Sequence, residues 1–181
     1  MRGIVRIVIL AMSLAILLPA ATLQRLSLDD LARKSTAIMH VRALDSYAAQ
    51  SESIIYTHYR LQVVEWWKGS GGEAAEVVTP GGAVGASRQV FSGAPQLVMG
   101  GEYVLFLWKG PSGLTHIVGL SQGLFKVSRD ANGQVIATRE ASTGPMLDPA
   151  TGHAVGDQSA SYHLGDLRQR VGAAIAMGGA K

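Results

Sequence analysis

The chain has 181 residues, 16 of them Lys or Arg and 13 Asp or Glu, a formal net charge of +3, and no cysteine. Without cysteine there is no disulfide framework, no thiolate metal site and no thiol for lipid attachment. Arg2 and Arg6 fall in an N-terminal leader, and without them 14 basic residues stand against 13 acidic ones, so the charge leaves no footprint for nucleic acid or an anionic membrane.

That leader reads MRGIVRIVILAMSLAILLPAATLQ. Two arginines, an uncharged apolar run from Ile7 to Leu18 and small residues around Ala20 and Ala21 are the anatomy of a secretory signal peptide. The run is about a dozen residues, short of the roughly 20 a spanning helix needs. Cleavage after Ala21 predicts a secreted or periplasmic protein, and retention would tether it to the membrane. The chain divides into the signal peptide (1–21), a β-barrel domain (22–140), an irregular segment (141–160) and a C-terminal helix with its tail (161–181).

Ser27 followed by Asp30 resembles a capping box, and Leu28 and Leu31 share a face, which predicts a short helix over 28–34. AIMHVRAL (37–44) alternates as a strand, with the polar stretch DSYAAQSES as the loop after it. Residues 54–68, IIYTHYRLQVVEWWK, give the clearest strand. Its period of two places Ile55, Thr57, Tyr59, Leu61, Val63 and Trp67 on an inner face. Tyr56, His58, Arg60, Gln62, Val64 and Trp66 fall on the other. Such length suits a strand coiled round a small barrel. AEVVTP (75–80) returns, and the glycine-rich 81–101 reads as loop. EYVLFLWKG is apolar on both parities from Tyr103 to Trp108, as in a strand covered on both faces. THIVGL and LFKVSR are strands broken at Ser121-Gln122-Gly123. Asp130-Ala131-Asn132-Gly133 is a hairpin turn leading to QVIATRE. After the irregular 141–159, Leu164, Leu167, Val171 and Ile175 space a helix. The sum is a mainly β (α+β) chain, a small OB-like twisted barrel of five to seven strands with a short N-terminal and a C-terminal helix.

GLSQG (119–123) fits the nucleophile-elbow pattern G-x-S-x-G. With 22 glycines and 15 serines, composition alone yields about 0.2 such matches. An elbow needs a helix after it, and LFKVSR reads as a strand. The order Ser121, Asp148 or Asp157, then His153 or His163 permits a triad, so a small secreted serine esterase is the alternative function. A glycine break between strands is the better account, and no catalytic residue is assigned. Histidines 40, 58, 116, 153 and 163 are scattered, with no metal-binding spacing, so no metal or cofactor is expected. GGAVGAS (81–87) lacks the G-K-[ST] ending of a phosphate loop.

STAIMHVRALDSYA, LQVVEWWKG, VVTPGGAVG, LVMGGEYVLFL and VGLSQGLFKV resemble, in this order, blocks of a group of uncharacterised bacterial secreted proteins. The resemblance spans residues 28–139. More loosely, the arrangement is similar to the OB-like barrels of netrin-type and protease-inhibitor modules. The resemblance implies a fold and carries no functional residue. Function then reads as an exported non-enzymatic binding or interaction domain, its partner a protein, peptide or glycan. An exposed indole beside a cation suits such contacts, so Tyr56, His58, Arg60 and Trp66, with the 81–101 loop, are the candidate binding residues.

Overall fold

The computed structural model describes residues 23–142, 144 and 146–178; the expected leader lies outside them. The chain is mainly β. Its elements are β1 (Leu23–Gln24), helix α1 (Leu28–Lys34), β2 (Ala37–Ser51), β3 (Ile54–Lys68), β4 (Ala74–Pro80), β5 (Gly82–Val84), β6 (Ser87–Gln89) and β7 (Glu102–Lys109). β8 (Thr115–Ile117), a 3-10 turn (Leu120–Gly123), β9 (Leu124–Arg129), β10 (Val135–Arg139), β11 (Met146–Leu147), β12 (Ala154–Val155), β13 (Ala160–His163) and helix α2 (Leu164–Gly178) complete the order.

β7 organises the molecule. One edge pairs with β2, from Ala37 opposite Leu107 to Arg42 opposite Glu102. The other edge is divided: Glu102–Leu105 pairs with β9, and Leu107–Lys109 with β8. β8 also meets β4 in parallel, Val78 opposite His116. The pairings therefore form a circuit, β2–β3–β4–β8–β7 and back to β2, with β9, β10 and β13 as a wing.

Because side chains alternate across a strand, β7 feeds two cores. Tyr103, Leu105 and Leu107 join Met39, Val41, Tyr59, Leu61 and Val77 inside the circuit. Val104 and Phe106 point the other way, into a layer completed by Leu31 of α1 and by Leu167, Val171 and Ala174 of α2. The two-parity apolar run is accounted for: the sheet is covered on both faces. α1 starts at the expected capping box, with Ser27 Oγ accepting from Asp30 N–H and Asp30 accepting from Ser27 N–H.

Four expectations need correction. The polar stretch after Leu44 is no loop: β2 continues to Ser51, and Asp45–Ser51 pairs with Ile54–Arg60 in an arm whose β2 side chains are largely exposed, which explains their polarity. Residues 81–101 include the β5–β6 hairpin. The 141–160 segment contributes β11 and β12, which form a small sheet with β1. Finally, the alternation of β3 fails past Val63. The register against β2 skips Val64 and then Trp67, and each skip reverses the facing of the residues after it. Trp66 therefore packs toward the inner core and Trp67 toward the helices, the reverse of the parity expectation.

Candidate functional site

The pairings that close the circuit also align five residues in one transverse row. Tyr47 of β2 stands opposite His58 of β3, His58 opposite Val78 of β4, Val78 opposite His116 of β8, and His116 opposite Trp108 of β7. At one end Tyr47 stacks on His58, centroids 4.7 Å apart and planes 15° from parallel. At the other Trp108 stacks on His116 at 5.0 Å and 27°. Tyr56 meets the edge of His116 at 5.8 Å, so three aromatic rings gather where β3, β7 and β8 approach.

A groove of about 830 Å³ opens over this second cluster, within the size range of small-ligand sites. Tyr56, Val78, His116 and Trp108 line it, and the β2–β3 turn (Ser51, Glu52) and the β7–β8 turn (Gly110, Pro111, Ser112) border it. That second turn is held by Gly110 N–H donating to the Leu114 carbonyl at 2.8 Å. A Cβ at Gly110 would lie 3.2 Å from His116 Nε2, so the turn sits close on the imidazole. Burial disfavours the protonated ring and pulls the His116 pKa below its ordinary value, leaving a neutral imidazole that donates from one nitrogen and accepts at the other. Trp108 is 39% exposed and is the open surface of the cluster.

The Tyr47 end is built differently. His58 is buried, and its Nδ1 lies 2.9 Å from Glu76 Oε1. Tyr47 donates its hydroxyl to Glu76 at 3.1 Å, and the Arg60 guanidinium lies 5.1 Å from the Tyr47 ring centroid. The His58 hydrogen bond, with that of Tyr47, holds the Glu76 carboxyl below the usual carboxylate range. These side chains satisfy one another, which describes a structural cluster.

Of the four candidate residues, Tyr56, His58 and Arg60 share the outer face of β3, but only Tyr56 reaches the groove. Trp66 lies elsewhere, beside Arg42 and Gln62. Its indole donates to the Gly72 carbonyl at 3.3 Å, and a Cβ on Gly71 would fall 2.6 Å from its Cζ2, so the glycine loop covers the ring. Trp67 donates to Glu65 at 2.9 Å, and Glu65 in turn pairs with Arg168 of α2.

Ser121 sits in the 3-10 turn, with strand β9 directly after it, and its carbonyl accepts Leu124 N–H. Asp148 caps its own turn through Thr151 and Ala150 and pairs with Arg25 at 3.3 Å; Asp157 pairs with Arg139 at 3.0 Å. Both candidate acids are thus engaged with other groups. Among the described residues no group of three or more His, Asp or Glu is placed to hold a metal ion, and no helix is long and apolar enough to cross a membrane.

Sequence reasoning missed Trp108 and His116. Trp108 was visible as the last residue of an apolar strand and His116 as a lone strand histidine; the GPSG turn between them was the available signal that they face each other. Compared with protein-family models, curated proteins and solved structures, the chain finds no match.

Proposed function

We propose that the protein is an exported, non-enzymatic binding domain on a small OB-like barrel, with the groove at Tyr56, His116 and Trp108 as its binding site. Export rests on the leader's composition. The barrel reading is supported by the pairing order of the five circuit strands, which in chain order is first, second, third, fifth, fourth, with third and fifth parallel. In OB folds, ligands lie over the second and third strands, between the loops joining strands one to two and four to five. Those are here the β2–β3 and β7–β8 turns that border the groove. The observation that carries the reading is the exposed Trp108 indole backed by His116 inside that groove.

The test is affinity capture from envelope extract and spent medium on the immobilised chain. Wild type is compared with Trp108→Ser and with Arg42→Ser, the latter beside Trp66. The expected result is a component held by wild type and Arg42→Ser and lost with Trp108→Ser. Retention by Trp108→Ser with loss in Arg42→Ser would move the site to the Trp66 surface.

A further inference from the structure

Three properties of the groove narrow its occupant. The first is charge. Among the described residues Glu52 is the only carboxylate that lines it, and no Lys or Arg does. A phosphate, a sulfate or a carboxylate entering it would surrender hydration with no cation to receive it. Nucleic acids, phospholipid headgroups and acidic glycans are disfavoured on that ground.

The second is the form of the polar groups. Ser51, Ser112 and Tyr56 bring hydroxyls, each both donor and acceptor, and His116 brings a neutral imidazole of the same dual character. Such groups match a ligand whose own polar atoms are hydroxyls. The third is the backbone. β4 is paired with β3 along its length and meets β8 at Val78–His116, and Pro80, which ends β4 at the groove, has no N–H to donate, so among the described residues the groove floor leaves little strand edge along which a peptide could add as a further strand. What remains open is an aromatic surface: Trp108, buttressed by His116 at 5.0 Å, with Tyr56 at the edge of the imidazole.

The geometry points to a neutral saccharide as the ligand of this groove, one sugar ring resting its C–H face on the Trp108 indole while its hydroxyls bond His116 and the turn serines. This rests on the groove being the protein's binding site. A neutral ligand also implies an affinity that salt leaves alone, unlike binding by ion pairs.

The full chain, as processed by the cell that makes it, is labelled with ¹⁵N and its three tryptophan indole N–H signals are followed. The probes are neutral tetrasaccharides of hexose and of N-acetylhexosamine, a uronic acid tetramer and a proline-rich peptide. A neutral tetrasaccharide is expected to shift the Trp108 signal and leave those of Trp66 and Trp67 in place, with less than a twofold affinity change from low to high salt. Trp108→Ala weakens that binding at least tenfold, while Trp108→Phe, which keeps a stacking ring, retains most of it. Response to the peptide or the uronic acid alone overturns the saccharide assignment and leaves the groove as the binding site. Silence of Trp108 towards every probe overturns the saccharide assignment, and if the capture experiment also fails, the binding reading falls with it.

Discussion

Gln122 lies fully buried, and its side-chain amide holds two backbone groups of the N-terminal segment: it accepts from Leu26 N–H at 2.8 Å and donates to the Gln24 carbonyl at 3.0 Å. The GLSQG stretch is thus a joint that fastens strand β1 to the 3-10 turn, and its serine is incidental to that work. Gln122→Leu leaves a donor and an acceptor without partners, and is expected to cost about 1–3 kcal/mol per group in chemical denaturation. At Gly123 the constraint is space: a Cβ would come within 2.6 Å of the Val118 carbonyl oxygen. Gly123→Ala should cost about 1–3 kcal/mol, whereas Gly133→Ala has open room and bears only the strain of its φ of +78°. The sequence marked this glycine break but not Gln122, because a buried glutamine shows no periodicity of its own. Its partners lie 96 and 98 residues away. His116 sets a pH dependence. Burial lowers its folded pKa beneath the ordinary 6.5, so the unfolded chain takes the proton first. Stability is therefore whole above about 6.5 and falls as pH drops below it. Denaturation midpoints measured from pH 7.5 to 5 should decline in wild type and decline less in His116→Phe.

The elements were legible where the pattern is local. α1 follows from Ser27 and Asp30, whose reciprocal bonds satisfy two of the first-turn groups that a helix leaves unpaired. Ser27→Ala is expected to lower stability by about 1 kcal/mol, read as a shift of the denaturation midpoint without change of slope. β3 marks the limit. Its alternation predicts the inner face correctly at Ile55, Tyr59, Leu61 and Val63, and then two bulges reverse it. Nothing in VVEWWK announces them, because both apolar and polar residues occur on each parity there. A bulge is a property of two strands in register, and opposite the two skipped residues β2 runs on without a break, from Val41 to His40 and from Met39 to Ile38. The consequence is visible in the tryptophans: Trp66 is roofed by Gly71 and Trp67 is tied to Glu65. Gly71→Val should displace the Trp66 indole and move its fluorescence to longer wavelength, with Trp67 unaffected.

In the whole molecule one strand, β7, is shared by two cores, and its sequence said so: residues apolar on both parities require cover on both sides. The circuit was less legible. It closes through the single parallel pair Val78–His116, which depends on how far β4 and β8 slide past each other, and no local motif fixes that. The candidate site inherits the same opacity, since Trp108, His116 and Tyr56 come from three strands and meet only once the register is set. α2 supplies Leu167, Val171 and Ala174 to the layer over Phe106 and Ile38. Ending the chain at His163 would bare that face, and the expected outcome is loss of the cooperative unfolding transition with strong binding of a hydrophobic dye. A truncated chain that unfolds as sharply as the full one would show that the circuit stands without its helical cover. Whether the protein meets its ligand at the Trp108 groove can be read from the three indole N–H signals of the ¹⁵N-labelled chain, recorded as fractions of envelope extract are added. Trp66 and Trp67 have bonded indoles at other places in the fold, so they serve as internal controls. A saturable shift of the Trp108 signal alone is expected; a shift of the Trp66 signal with Trp108 unmoved would place the ligand elsewhere and overturn the assignment of the groove.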